Sequence, residues 1–378
     1  MQLERSLLNY LTLLVMLLGS IVSLIAQSEI LFRSGDDGYQ CFRIPALVAL
    51  DSKVVVAFAE GRKDNCADFG DVDIVMRRST DGGHHWGPIE VVVNNGVLQA
   101  GNATPLLDRL DPRFPNGRLF LFYNTGTASE QKTREGLGRR QGFFITSADK
   151  GSTWSDPISI SNQTHFDRFS EIQDLDHRTL AYAPGHALQL TYGLFAGRLF
   201  VPANHSKGPS QEEFKDYRAF GLYSDDHGAS WMVAEDLQTP SSNEVMAAQL
   251  PSGELLMTVR IQNSTERNKF LARSLDGGSS WYAEERAIDL TSPVCQSALL
   301  YVADKQRVYH LGPSATDRRA RLTLWSSADD GHSWQVEQLI EEGFAAYSDL
   351  AYLEKDKLAI LYEAEDYSEI RFKLIPIP

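Results

Sequence analysis

The sequence predicts an all-β fold, a ring of six four-stranded blades called a β-propeller, from two observations. A turn pattern, Ser-x-Asp-x-Gly-x-x-Trp, recurs five times, beginning at residues 79, 147, 224, 274 and 327. The turns begin 50 to 77 residues apart, a spacing typical of propeller blades. Short β-rich runs surround each turn, and no long amphipathic helix pattern interrupts them.

Each repeated turn has the residues of a tight hairpin corner. The five segments are STDGGHHW, SADKGSTW, SDDHGASW, SLDGGSSW and SADDGHSW, and they hold five of the six tryptophans. The Asp accepts hydrogen bonds from the turn's amides, the Gly adopts a positive φ, and the Trp packs on the neighbouring strand. Because residues repeated once per blade serve structure, we assign these Asp-box turns a structural role.

The predicted strands follow the chain in sets of four. Blade one contains RIPALVAL, KVVVAFAEGR, DIVMRRS and IEVVV, and blade two contains TPLLD, GRLFLFYNTG, GFFITS and ISIS. Blade three contains HALQLT, GRLFVPANHS, FGLYS and a short run near Val233. Blade four contains EVMAAQL, GELLMTVR, KFLARS and RAIDL, and blade five contains SALLYV, RVYHLG, RLTLWS and VEQLI.

The sixth blade lacks one strand at the C-terminal end of the chain. After residue 345 only YSDLAYL, KLAILYEAE and EIRFKLIP remain, without an Asp-box turn. The segment SEILFRS at 28–34 precedes blade one and is free to complete the set. We therefore predict one domain over residues 29–378, with the ring closed by the N-terminal strand so that no open sheet edge remains.

Residues 1–28 are predicted to form a signal peptide. Arg5 precedes an uncharged run that ends at a small-residue cleavage candidate, Ala26-Gln27-Ser28. An uncleaved membrane anchor is the alternative, because the run approaches the ~20 residues that a spanning helix needs. The expected location is on the secretory route, secreted or periplasmic, with a lysosomal location as the alternative.

Composition narrows the function classes. The net charge of −14 argues against nucleic acid and anionic membranes as partners. Three cysteines, Cys41, Cys66 and Cys295, permit at most one disulfide. Cys41 either pairs with Cys66 or remains a buried thiol, and we expect the thiol. No CxxC pair, HExxH motif or EF-hand loop appears, so the sequence predicts no metal site. It makes no prediction of oligomeric state.

Three arginines stand where apolar strands begin or end. Arg43 lies in CFRIP, Arg260 in ELLMTVRIQN and Arg319 in SATDRRARLTLW. A single buried arginine usually has a structural ion partner. Loops at one end of a propeller's inner strands share a funnel, so three arginines on blades one, four and five predict a common anion site.

The chain resembles the exo-α-sialidase (neuraminidase) family in an ordered set of motifs. They are FRIP, the five Asp-box turns, NEVMAAQL followed by LLMTVR, an arginine before the strand leading to the fifth turn, and AYSDLAYL. The resemblance covers essentially the whole chain after the predicted signal peptide. It implies a six-bladed propeller that hydrolyses terminal α-linked sialic acids of glycoproteins, glycolipids or oligosaccharides, with sialylated glycoconjugates as partners and no cofactor.

The resemblance also implies roles for matched residues. Arg43, Arg260 and Arg319 match the arginines that hold the sialic acid carboxylate, which guanidinium groups bind through bidentate hydrogen bonds. Tyr347 matches the nucleophile and Glu244 its base. A neutral phenol suits the anomeric carbon because a carboxylate nucleophile would approach the carboxylate already attached there.

Further positions follow from the same resemblance. Asp68 matches the acid/base on a flexible loop, with Asp64 as the open alternative. Arg62 and Asn102 match residues that contact the sugar's other substituents, and Glu363 matches the carboxylate that orients the first arginine.

Arg319 has two arginine neighbours, Arg318 and Arg321. We choose Arg319 because it stands eight residues before Ser327, as the family's arginine does.

Two other functions share this sequence pattern. A trans-sialidase would use the same residues and differ by a second sugar site. A non-catalytic sialoglycan-binding propeller would be expected to lack Tyr347, Glu244 or Asp68, and all three are present.

Overall fold

The computed structural model describes residues 28–166, 175–354 and 356–378, which form an all-β fold, as predicted. Apart from Ser28, the predicted signal peptide lies outside these residues. Within the described part of the chain, no helix has the length and apolarity needed to cross a membrane.

The described strands form four hydrogen-bonded sheets, which divide along the chain into six groups of antiparallel strands. One parallel pairing, Val72 with Gln99, joins the first group to the second, and a shared strand joins the fifth to the sixth. The first contains β2 (Cys41–Ala49), β3 (Val55–Arg62), β4 (Val72–Ser79) and β5 (Glu90–Val93), and the second contains β6 (Gln99–Asp108), β7 (Arg118–Gly126), β8 (Arg140–Ser147) and β9 (Ile158–Ser159). The third contains β10 (His177–Tyr182), β11 (Leu188–Gln189), β12 (Leu199–Lys207), β13 (Tyr217–Ser224) and β14 (Met232–Val233). The fourth contains β15 (Ser242–Gln249), β16 (Leu255–Ile261), β17 (Asn268–Ser274) and β18 (Ala283–Thr291).

The last two groups share a strand. The fifth contains β19 (Ala298–Val302), β20 (Arg307–Pro313), β21 (Ala320–Ser327) and the first part of β22 (Gln335–Leu353). The sixth contains the rest of β22, β23 (Lys357–Ala364), β24 (Glu369–Pro376) and β1 (Glu29–Arg33). β1 pairs antiparallel with β24, in agreement with the predicted use of the N-terminal segment.

Short helices lie in the connections. The α-helical turns are α1 (Glu130–Arg134) and α2 (Ser161–Thr164). Single 3₁₀ turns cover Asp36–Gly38, Gly193–Phe195, Glu212–Phe214, Ala303–Lys305 and Glu365–Tyr367.

β22 was predicted as two strands and is one. Its ladder with β21 reaches Phe344, and its ladder with β23 begins at the next residue, Ala345. The extended backbone therefore passes directly from the fifth group to the sixth, and no turn separates the two predicted runs.

The first strand of the third group was also predicted in the wrong place. The pairing of β12 with β10 uses HRTLAY, whereas the predicted run HALQLT contributes only the two residues of β11. Between them the amide of Ala187 donates to Pro105 of the second group instead of to β12. This change of hydrogen-bond partner interrupts the strand that the apolar pattern had suggested.

The apolar core lies between consecutive groups. Phe120 and Phe122 of the second group form one buried cluster with Leu180 and Val201 of the third. Similar clusters join each following pair, and Leu47 of the first group shares a cluster with Phe372 of the sixth. Because β2 contacts both β6 and β22, the packing between groups closes into a cycle.

The five Asp-box turns share one hydrogen-bond pattern. In the fourth of them, Ser274 Oγ donates to Asp276 Oδ1 at 2.8 Å and accepts from the Gly278 amide at 2.9 Å. Gly278 has a φ of 86°, and a Cβ there would lie 2.3 Å from the Phe200 ring. The glycine is therefore required both by the turn and by close packing on the third group.

Candidate active site

Residues from all six groups surround a polar cavity of about 230 Å³. An antiparallel hairpin places the start of its first strand beside the end of its second, so β2 and β3 deliver Arg43 and Arg62 to the same edge. The cavity contains all eight predicted catalytic and substrate-contacting residues: Arg43, Arg62, Asp68, Asn102, Glu244, Arg260, Arg319 and Tyr347. The structure thus brings these residues together, and their chemical roles remain predictions.

The hydroxyl of Tyr347 contacts both a carboxylate and a guanidinium group. It donates a hydrogen bond to Glu244 Oε1 and accepts one from Arg260 Nη1 at 2.8 Å. The same Arg260 nitrogen lies 2.5 Å from Glu244 Oε2. These three side chains form a closed triangle at the wall of the cavity, in which the carboxylate is positioned to receive the phenol proton.

The surroundings of Tyr347 favour its neutral phenol. Burial and the charge of Glu244 raise its pKa well above the ordinary value, against the opposing charges of Arg260 and Arg319. A nucleophilic role for this oxygen would therefore need a base to accept its proton, and Glu244 is the carboxylate in contact with it.

Glu363 connects Arg43 to the backbone of the tyrosine. Its carboxylate is fully buried and lies 2.6 Å from Arg43 Nε. The two oxygens also accept hydrogen bonds from the amides of Ile44 and Tyr347. Ile44 has a φ of 58°, a left-handed conformation that is strained for a β-branched residue. The buried carboxylate therefore holds a strained turn, an arginine and the tyrosine in one arrangement.

Arg319 reaches the cavity, and its two arginine neighbours do not line it. Arg319 donates to the hydroxyl of Tyr367 at 2.9 Å, and its guanidinium lies 5.3 Å from the centre of the Tyr347 ring. Arg318 and Arg321 are about half exposed or more and pair with surface carboxylates. Tyr367 also stacks under the Arg43 guanidinium at 4.2 Å, so it braces two of the three arginines.

Arg62 fixes the loop that carries Asp68. It pairs with the buried Glu60 at 2.6 Å, and its Nη1 donates to the Cys66 carbonyl at 2.6 Å and to Asp68 Oδ1 at 2.9 Å. Glu60 also accepts from the amide of Asn102 at 2.9 Å. One buried carboxylate therefore organises two predicted substrate contacts and the loop.

The expectation that Cys41 stays a free thiol is wrong. Cys41 forms a disulfide with Cys66, and the two Cα atoms are 5.3 Å apart. The bond ties the Asp68 loop to β2, two residues before Arg43. Cys295 is the buried free thiol of the described residues. Sequence separation gave no indication of this pairing, because a chain reversal between β2 and the loop creates the short distance.

Asp68 is the loop carboxylate that faces the cavity. Loss of water alone would raise its pKa, but the charges of Arg62 and Arg43 outweigh this effect and lower it. Asp73 is buried and accepts hydrogen bonds from Tyr39 and Asn94, so it has a structural role. The side chain of Asp68 is 74% exposed, and Asp64, the open alternative, is exposed as well. The two differ because Asp68 lines the cavity and Asp64 does not.

Sequence reasoning missed several residues of the cavity. They are Glu60, Gln99, Glu130, Arg140, Asn204, Tyr217, Asn243 and Gln262, together with Tyr367 behind the arginines. Glu60 had a signal, since it is a carboxylate in the apolar strand run AFAEGR with an arginine two residues later. The others have no recognisable pattern in the sequence. Most of them lie on strands (Gln99, Arg140, Asn204, Tyr217 and Asn243), and only the packing of the strand groups brings them to the cavity.

The cavity has the polarity of an anion and sugar site. Its carboxylates contact arginine or tyrosine side chains: Glu60 pairs with Arg62, Glu244 with Arg260, and Glu130 accepts from a tyrosine. This donor set does not suit a metal ion, whose carboxylate ligands would have to leave those partners. Nε of Arg260 and Nε of Arg140 are buried without a hydrogen-bond partner in the described residues.

The family comparison agrees with this geometry. The BNR repeat-like domain family matches residues 53–360. This chain belongs to that family. The matched segment spans most of the six strand groups and includes the five Asp-box turns from residue 79 onward.

Curated relatives of this BNR repeat-like protein are sialidases, which confirms the resemblance found in the sequence. The sialidase of Micromonospora viridifaciens is 28% identical over 355 residues, covering 87% of this chain and 51% of that protein. The sialidase of Bacteroides fragilis is 25% identical over 354 residues, covering 88% of this chain and 61% of that protein. This chain therefore spans between half and two thirds of the length of these relatives.

Solved structures share the fold. A Hadza microbial sialidase, Hz136, superposes with a TM-score of 0.77 at 22% identity, covering 93% of this chain and 68% of that chain. A leech intramolecular trans-sialidase superposes with a TM-score of 0.71 at 18% identity, covering 93% of this chain and 70% of that chain.

Proposed function

We propose that this protein is a retaining exo-α-sialidase that hydrolyses terminal α-linked sialic acids from glycoproteins, glycolipids or oligosaccharides. The observation that carries the proposal is the hydrogen-bonded triangle of Tyr347, Glu244 and Arg260 at the wall of an arginine-rich cavity. The described strand groups, with their cyclic packing, support a six-bladed propeller with five Asp-box turns as its scaffold.

The three arginines bind the substrate carboxylate. Arg43, Arg260 and Arg319 approach the Tyr347 ring or hydroxyl from different strand groups. A carboxylate attached to the anomeric carbon and held by these groups would place that carbon beside the phenol oxygen. This local positive charge attracts an anionic sugar to a protein whose net charge is −14.

Tyr347 forms the covalent intermediate, and Glu244 acts as its base. The phenol oxygen attacks the anomeric carbon while its proton passes to Glu244, and the bond to the leaving-group oxygen breaks. A carboxylate in place of the phenol would meet the substrate's own carboxylate, and like charges ~4 Å apart repel by about 4 kcal/mol at an effective dielectric near 20. The neutral nucleophile avoids this cost.

Asp68 transfers the second proton. Its carboxyl protonates the departing glycosidic oxygen and then, as a carboxylate, takes a proton from the water that attacks the intermediate. Tyr347 leaves as a phenol by recovering its proton from Glu244, so protons balance and the configuration is retained. A bound substrate carboxylate offsets the charge of Arg43 and thereby raises the pKa of Asp68. A larger fraction of Asp68 is then protonated and able to donate its proton to the leaving group.

The remaining predicted residues support binding. Arg62 and Asn102 contact other substituents of the sugar from the Glu60 side of the cavity. Glu363 aligns Arg43 through its ion pair. We further propose a single domain over residues 29–378 and a location on the secretory route, secreted or periplasmic with lysosomal as the alternative, after removal of the predicted signal peptide.

Incubation with sialyllactose tests the reaction. We expect free sialic acid and lactose in equal amounts, because water occupies the acceptor position in a hydrolase. The same incubation with added labelled lactose distinguishes a trans-sialidase, which would produce labelled sialyllactose as the main product. Binding of sialyllactose without cleavage by folded protein would instead identify a sialoglycan-binding propeller and overturn the proposal.

A further inference from the structure

Three histidines outside the candidate active site lie together in the third strand group. They are His165 at the end of α2, His177 at the start of β10 and His205 in β12. One ring nitrogen from each lies within 4.8 Å of those of the other two. Their exposed fractions are 3%, 4% and 0%, so all three are almost completely buried.

Each of these histidines has a nitrogen that the described structure leaves unused. Both ring nitrogens of His165 and of His205, and Nδ1 of His177, have no hydrogen-bond partner among the described residues. Neutral imidazoles each carry a lone pair, which is the form that binds metal ions.

We propose that His165, His177 and His205 bind one divalent transition-metal ion, with Zn²⁺ as the principal occupant. Three imidazoles with no thiolate form a ligand set typical of zinc, and of copper or nickel at lower abundance. Solvent completes the fourth position. This proposal does not depend on the proposed sialidase activity, because none of the three side chains lines the active-site cavity.

A carboxylate next to the cluster fits the surroundings of a metal-bound imidazole. Asp236 Oδ1 lies 3.0 Å from Nε2 of His205, and its other oxygen lies 2.5 Å from Lys207 Nζ. The present geometry does not make this contact a hydrogen bond. Alignment of Nε2 with the carboxylate on metal binding would fix the tautomer and leave Nδ1 of His205 as the ligand atom.

Metal binding requires the cluster to contract. Zn–N bonds of 2.0–2.1 Å place tetrahedral ligand nitrogens about 3.4 Å apart, less than the 4.8 Å limit within which the present nitrogens lie. The rings of His177 and His205 are also in close contact, with their centres 3.9 Å apart and their planes tilted by 38°. Side-chain rotation within the cluster would bring the three ligand nitrogens to the separation that the metal needs.

An ion at this position would link two strands of the third group to the connection that precedes them. It would join α2 to the paired strands β10 and β12. Two residues beyond His177, β10 begins to line the active-site cavity with Thr179, Leu180 and Ala181, and Asn204 lies next to His205. The ion is therefore structural, and it fixes one wall of the cavity from behind.

Cobalt binding to the whole chain tests the proposal. Protein stripped with a chelator is titrated with Co²⁺, and the visible absorption is recorded. We expect one ion per chain, the intense absorption of four-coordinate Co²⁺ with nitrogen ligands, and its loss when Zn²⁺ is added. We also expect Zn²⁺ to raise the melting temperature by several degrees. Absence of stoichiometric binding, or the weak spectrum of an octahedral ion, would overturn the proposal without any variant.

Variants locate the ion. His177→Asn should weaken Co²⁺ binding at least about 100-fold, and Asp236→Asn about 10- to 100-fold. His310→Asn is the matched control, because His310 is equally buried with both ring nitrogens unpartnered in the described residues but belongs to no such cluster. If His177→Asn does not fold, His165→Gln replaces it. Undiminished Co²⁺ binding in His177→Asn and in His165→Gln would contradict the site. Loss of Co²⁺ binding when the exposed His84 and His85 are replaced would also contradict it.

Discussion

At the scale of single residues, neighbouring groups decide what a side chain can do. Tyr182 and Tyr309 are as buried as Tyr347, yet their hydroxyls have no hydrogen-bond partner among the described residues. Only the hydroxyl of Tyr347, of these three, lies between a carboxylate and a guanidinium. Its chemistry therefore depends on Glu244 and Arg260, which β15 and β16 deliver from another strand group.

Arg319 and Arg321 provide a matched pair for the carboxylate site. Arg319→Gln should lower kcat/KM by about 100-fold or more, because a charge-assisted contact to the substrate is lost in a largely desolvated cavity. Arg321→Gln should leave kcat/KM within about twofold, since its partner Glu342 is an exposed surface carboxylate. Steady-state kinetics with sialyllactose measure both. Equal losses in the two variants would contradict the assignment of Arg319.

The pH dependence of kcat/KM should be set in part by the ion pair between Asp68 and Arg62. The protonated acid is the active form, so kcat/KM for sialyllactose falls as pH rises through the pKa of Asp68, which Arg62 and Arg43 hold below its ordinary value. Arg62→Gln removes one charge and should move this descending limb upward by about one pH unit. Arg62→Lys keeps the charge and should move it much less. Identical limbs in the two variants would show that another group controls the profile.

At the scale of elements, the apolar runs predicted most strands, because a buried strand needs a short β-rich run. The two errors arose where a hydrogen-bond partner, rather than a side-chain pattern, defines the strand. β10 has the polar sequence HRTLAY but pairs with β12, and β22 continues through a region that the pattern divided. The Cys41–Cys66 bond was missed for the same kind of reason, since tertiary approach creates it.

Removal of this disulfide tests its effect on the loop. The change Cys41→Ser with Cys66→Ser opens a 25-residue connection and should lower the free energy of unfolding by about 3 kcal/mol. The Asp68 loop then loses one of its two attachments, so kcat for sialyllactose should fall about tenfold. An aryl sialoside with a good leaving group needs little acid assistance and serves as the control. Equal losses with both substrates would show that the disulfide does not act through Asp68.

At the scale of the whole molecule, the cavity exists because the strand groups pack in a cycle. Arg43 and Glu363 are 320 residues apart in sequence and meet because β2 of the first group contacts β22 and β23 of the sixth. The repeated turns predicted such a ring, and the family resemblance predicted the residues at its mouth. Glu60 and Tyr367 could not be predicted in their bracing roles, because those roles arise only from where the cycle places them.

The N-terminal strand should contribute to the stability of this cycle. A chain that begins at residue 35 lacks β1 and with it Leu31 and Phe32, which are 2% and 0% exposed. Loss of two buried apolar side chains and of the pairing with β24 should lower the melting temperature by about 10 °C or more. The control is a chain that begins at residue 28. Equal melting temperatures would contradict closure by the N-terminal strand.

The most direct test of the account is fluorophore release from the α-ketoside of N-acetylneuraminic acid by the wild-type protein and by Tyr347→Phe. We predict turnover by the wild type and a loss of at least about 1,000-fold in the variant, because the nucleophilic oxygen is absent while the arginines still bind substrate. Matching melting curves would show that both proteins are folded. Folded wild-type protein without turnover, or a variant as active as the wild type, would contradict the central claim.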